Sequence, residues 1–136
     1  MREFMDLAIG FEVESAEFYS RMSTSVNDDA VVGLLNRLES QERDHEKTLR
    51  AYHTPKGDET TFQFPPDLSL SMPVPGDDPD FMQMLSVAIE REHRSAEIYR
   101  AATERTSGQF RDMLQGLAGF EAEHEDQLKL LRESWS

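Results

Sequence analysis

The sequence predicts an all-α protein: a four-helix bundle of two helical hairpins joined by one long crossover, with residues 1–136 forming a single domain. Three observations predict it. Four stretches carry apolar residues at alternating spacings of three and four, the helical period. All six prolines fall between residues 54 and 80, so that stretch is a connection rather than a helix. The chain also repeats itself. AIGFEVESAEFY at 8–19 matches AIEREHRSAEIY at 88–99, and QERDHEKTL at 41–49 matches FEAEHEDQL at 120–128. The two hairpins therefore read as copies of one unit, related by an approximate two-fold.

The first helix is expected over about 3–25, with Met5, Ala8, Glu12, Ser15, Tyr19 and Met22 on one stripe. SVNDDA breaks it, and Asp28 or Asp29 can cap a second helix over about 28–52. Its inward stripe is Val31, Leu35, Leu38, Leu49 and Tyr52, while Asn36, Arg37, Ser40, Arg43, Asp44 and Lys47 face solvent. The crossover, 54–78, is long enough to run the length of a helix at about 3.3 Å per residue. Asp78 or Asp80 opens a third helix over about 79–106, with Met82, Leu85, Ala88 or Ile89, Glu92, Ala96 and Tyr99 inward. TSGQ breaks the chain at Gly108, and a fourth helix over about 109–133 turns Leu114, Leu117, Leu128 and Leu131 inward.

Composition narrows the function. With 27 Asp+Glu against 14 Lys+Arg the net charge is -13, which argues against nucleic acid and anionic membrane as partners and favours cations. The chain has no cysteine, so disulfides, thiolate zinc sites, Fe–S clusters and a cysteine nucleophile are excluded. No apolar run approaches the roughly 20 residues that span a bilayer, and the start lacks a signal-peptide core. The expected compartment is the cytoplasm.

Two stripes contain residues that do not belong in an aliphatic core. Leu35, Leu38, Glu42, His45, Leu49 and Tyr52 form one ladder; Leu114, Leu117, Glu121, His124, Leu128 and Leu131 form another. A step of three residues turns about 300° and rises about 4.5 Å, so each Glu-x-x-His pair shares a face. Glu12 and Glu92 hold equivalent places, between Ala8 and Tyr19 and between Ala88 and Tyr99. The heights agree as well. In an antiparallel hairpin, residues at one level average to the position of the turn. Glu12 with Glu42 and His45 centres near Asn27–Asp28, and Glu92 with Glu121 and His124 centres near Ser107–Gly108, each at a predicted break. All six side chains can meet in one layer. Four buried carboxylates without compensation are prohibitive, and two divalent cations neutralise them. Oxygen donors with imidazole suit iron or manganese over zinc.

At EVESAEFY, ERDH, EHRSAEIY and EAEH, in that order with the crossover between the second and third, the chain resembles the rubrerythrin-like branch of the ferritin-like di-iron carboxylate superfamily. The resemblance implies two iron ions. Glu42 and Glu121 would bridge them, Glu12 with His45 would complete one ion, and Glu92 with His124 the other. It implies reaction with peroxide or dioxygen, or with Fe(II) as in a ferroxidase, and a homodimer. Two departures matter. Without cysteines there is no rubredoxin domain, so a separate protein would donate electrons. Ser95 stands where rubrerythrins carry a further glutamate, which brings the set closer to bacterioferritin.

A lone Glu-x-x-His means little among 16 glutamates and four histidines. Glu90 and His93 fit it too, but their stripe is polar throughout and reads as solvated, as do Glu14, Glu17 and Glu97. Tyr19 and Tyr99 fit either of two roles: hydrogen bonds to a metal-bound glutamate of another helix, or plain core packing. Two other functions compete with di-iron oxidation chemistry: iron storage or delivery of ferritin or bacterioferritin type, and a metal-free structural bundle. A shell near 24 subunits separates the first, and stability indifferent to a chelator separates the second.

Overall fold

A computed structural model describes residues 2–52 and 70–135, with side chains from Phe4 onward. The described residues form four helices, α1 (Arg2–Ser23), α2 (Asp29–Tyr52), α3 (Phe81–Thr103) and α4 (Gly108–Trp135), and no strand. The chain divides into two compact units, Met1–Gln63 and Phe64–Ser136. One contains the antiparallel hairpin α1/α2 and the other the antiparallel hairpin α3/α4.

Local chemistry sets the helix ends. Asp28 is the residue that caps α2, its Oδ1 accepting from the amides of Ala30 at 2.9 Å and Val31 at 3.3 Å. Asp80, not Asp78, caps α3. Its Oδ1 accepts from the Gln83 amide at 2.7 Å, and Gln83 Oε1 accepts from the Asp80 amide at 2.8 Å, a reciprocal capping box. Two C-termini come earlier than the expected 25 and 106. α1 stops at Ser23 because Ser23, Thr24 and Ser25 donate their hydroxyls to the carbonyls of Ser20, Arg21 and Met22 at 2.7, 2.7 and 2.8 Å. α3 stops at Thr103, whose hydroxyl donates to Arg100 O at 2.6 Å while that of Thr106 donates to Ala102 O at 3.0 Å. These side chains offer the last carbonyls an alternative to another helical turn. Gly108 opens α4 at φ 66°, the left-handed region in which only glycine is unstrained.

The predicted stripes are buried with three exceptions. Leu35, Leu38, Leu49, Leu85, Leu114 and Leu128 are fully shielded, with Ala16, Met22 and Ala102 beside them. Tyr52 ends α2 with 41% of its surface exposed. Met82 and Leu131 are half-buried. On α3 the core positions beside Met82 are Phe81 and Met84, one and two residues away. Trp135 packs on Phe81, ring centroids 4.8 Å apart, and so ties the end of α4 to the start of α3.

Of the expected crossover, 54–69 lies outside the described residues. Residues 70–80 carry no regular structure, and two arginines of α3 fasten this segment. Arg91 Nη1 donates to Pro73 O at 3.3 Å and Arg94 Nη1 to Ser71 O at 2.8 Å. No helix among the described residues is long and apolar enough to cross a membrane.

Candidate metal centre

In the α1/α2 unit, Glu12 comes from the middle of α1, and Glu42 and His45 lie on one face of α2. All three are at least nine-tenths buried, with His45 the most accessible at 6%. His45 Nδ1 lies 3.5 Å from Glu12 Oε2 and 3.3 Å from Glu42 Oε1. The α3/α4 unit repeats the arrangement. His124 Nδ1 lies 3.6 Å from Glu92 Oε2 and 3.7 Å from Glu121 Oε2, and these three side chains are at most 2% exposed. Within each triad the donor atoms lie within 4.8 Å of one another. All six residues singled out from the sequence are buried, three in each unit. In both triads the ring nitrogen nearest the α-carbon faces the carboxylates.

Helix geometry explains the convergence. The Glu-x-x-His step puts carboxylate and imidazole one turn apart on the stripe that Leu38 and Leu49, or Leu117 and Leu128, bury on either side. The turns 24–28 and 104–107 are short, which fixes the level at which the opposite helix presents its glutamate. The spacing suits a shared ion. Donors bonded to one transition-metal ion at about 2.0–2.2 Å stand roughly 3.0–3.5 Å apart where they are neighbours in the coordination shell. The histidine–carboxylate separations of 3.3 to 3.7 Å are close to that edge.

Without a cation, the α1/α2 triad manages its charge with a proton. Burial alone would lower the pKa of His45, but hydrogen bonding and attraction to Glu12 and Glu42 outweigh it and raise the pKa to about 9. A proton on His45 is the metal-free substitute for a positive ion. The residues therefore fit a divalent metal: two carboxylates and one imidazole, buried, with a site that otherwise recruits positive charge.

Tyr19 and Tyr99 are buried at 2% each, in matching positions two turns beyond Glu12 and Glu92. Ser15 and Ser95 are also buried, one turn beyond those same glutamates, so the position of the missing further glutamate belongs to the interior. The decoy pair is solvated as expected. Glu90 is exposed and accepts from Arg94 Nε at 2.9 Å, and His93 is half exposed between Glu97 at 2.8 Å and Glu125 at 3.2 Å. Glu14, Glu17 and Glu97 are exposed. One buried ionic group escaped the sequence reading. Arg91 is 5% exposed. Its carbonyl partner, Pro73, lies in the crossover, where helical periodicity carries no information. The one available hint was the repeat, where Phe11 occupies the position of Arg91.

Comparison with known proteins defines the class of fold. A solved structure of a hypothetical protein from Pyrococcus furiosus superposes with a TM-score of 0.79 at 22% identity, covering 97% of this chain and 87% of that one. The fold is accordingly an all-α four-helix bundle. No family model matches the sequence, and no curated protein does.

Proposed function

We propose that the two triads bind a pair of metal ions, and that the protein is a non-haem di-iron oxidoreductase of rubrerythrin-like kind acting on peroxide or dioxygen. The observation that carries this reading is the duplicated, buried Glu/Glu/His triad. Solvent-facing charge has no need to recur at the same register in both repeats, nor to be withdrawn from water. Leaving a carboxylate buried and uncompensated costs on the order of several kcal/mol, and four such groups exceed what a domain of this size can sustain.

Glu12, Glu42 and His45 would hold one ion, and Glu92, Glu121 and His124 the other. Four carboxylates balance two divalent charges. Two iron ions, when bound, supply a pair of one-electron steps for a two-electron oxidant. The chain contributes the rest. Its aliphatic layers of Leu35, Leu38, Leu114 and Leu117 exclude water, and its histidines must release their protons to bind metal. Manganese satisfies the same donors.

The test is anaerobic titration with Fe(II), followed by peroxide or dioxygen. The reading predicts saturation at two ions per chain and consumption of oxidant in proportion to bound iron. Saturation at one ion or none would rule it out.

A further inference from the structure

We propose that residues 70–80 form a releasable strap across α3, latched by Arg91 and Arg94, which controls the passage of small solutes to the interior at the level of Glu92. Strap and helix both belong to the unit Phe64–Ser136. The consequence for metal uptake rests on the reading that the triads bind metal.

The latch is specific. Arg91 and Arg94, three residues apart, share a face of α3, and their Nη1 atoms donate to Pro73 O at 3.3 Å and to Ser71 O at 2.8 Å. Carbonyls two residues apart in an extended segment point the same way, so one helix face can take both. Arg94 is steadied by Glu90, whose Oε1 accepts from its Nε at 2.9 Å. In the first repeat these two positions are Phe11 and Glu14, whereas Glu12, Ser15 and Tyr19 are kept as Glu92, Ser95 and Tyr99. Within the repeat, the two cations are thus peculiar to the copy along which the strap runs. Glu92 lies between them, within about 3 Å of either along the helix axis.

The strap is also built to come away. Pro73 and Pro75 have no amide hydrogen, so the backbone cannot be pinned through their nitrogens. Val74 is 77% exposed. Beyond it Gly76, Asp77 and Asp78 are exposed, and Asp78 takes the left-handed φ of 49°. An open depression of about 450 Å³ lies between Pro75–Asp77 on one side and Met82, Ser86 and Val87 on the other. The far end is fixed by the Asp80–Gln83 capping box. One end is therefore anchored, the other is latched, and the part between leaves space beneath it. Release bares Arg91, which is 5% exposed when latched, and with it the turn of α3 that carries Glu92.

The chain has no cysteine, so a single introduced thiol reports on the strap. Alkylation is timed in Met72→Cys, at a half-buried position, and in Val74→Cys, each with and without Arg91→Met, which keeps the stem and removes the donors. Arg91→Met is expected to raise the Met72→Cys rate roughly fivefold or more and to leave the Val74→Cys rate unchanged. Circular dichroism establishes folding, and fluorescence of Trp135, which packs on Phe81, establishes that the start of α3 stays in place. If Arg91→Met does not fold, Arg94→Met takes its place with the same expectation. An unchanged Met72→Cys rate in a folded variant overturns the latch. Metal-free wild type and Arg91→Met, both without the thiol, are then mixed with Co(II) and followed by visible absorption. The variant is expected to load about threefold faster or more, to the same final content. Equal rates overturn the gate. A wild type that takes up no Co(II) ends the metal reading and the gate with it, and the alkylation rates tell that failure apart from a strap that never opens.

Discussion

At the scale of the residue, His45 is the most informative group in the chain. Its pKa of about 9 against an ordinary 6.5 means that the folded, metal-free protein keeps a proton there at neutral pH. The sign of the linkage follows. A histidine whose pKa is higher in the folded state contributes stability that is full below about 6.5 and lost as pH climbs through about 9. The thermal midpoint of the metal-free chain should therefore fall as pH is raised from neutrality through that value, and His45→Gln should remove much of this slope. A midpoint independent of pH in both proteins would mean that the imidazolium between Glu12 and Glu42 does not form. Proton and metal compete for the same nitrogen, so loading the triad at neutral pH should expel the proton. The donors themselves were legible in the sequence. A carboxylate or imidazole at a leucine register is conspicuous, and two copies at matching heights make coincidence hard to sustain. Arg91 was not legible, because nothing in the helical period of α3 announces a carbonyl 18 residues upstream.

At the scale of the element, apolar periodicity located all four helices but misplaced their ends. The reason is chemical. Period reports which face is buried, whereas termination depends on which side chain reaches the last free carbonyls or first free amides. The serine and threonine hydroxyls at the ends of α1 and α3 compete for those carbonyls, so both helices stop a few residues before the expected breaks. The start of α3 is decided by Asp80 alone among three nearby aspartates, because only it is paired reciprocally with Gln83. Asp80→Ala should cost about 1 kcal/mol of unfolding free energy, within the usual range for losing an N-cap. Urea denaturation measures this as a lower midpoint with an unchanged slope. Asp78→Ala, by contrast, should move the midpoint little. Equal losses in the two variants would mean that the capping box is not the start of α3.

At the scale of the whole molecule, the account joins a duplicated hairpin to a duplicated chemistry. The bundle follows from two pairs of amphipathic helices and a proline-bearing connection, all visible in composition and spacing. The solved structure from Pyrococcus furiosus shares that fold. The core mixes fully shielded leucines with six polar donors, and helix packing alone gives no reason for that mixture. The proposed cations would supply one, because each would offset the charge of carboxylates that are costly to bury. The most direct test is a crystal structure of the Fe(II)-loaded protein with data collected on both sides of the iron absorption edge. The account predicts two anomalous peaks per chain roughly 3.5–4 Å apart, one against Glu12 and His45 and the other against Glu92 and His124. Peaks confined to the protein surface, or no peak at either triad, would contradict it.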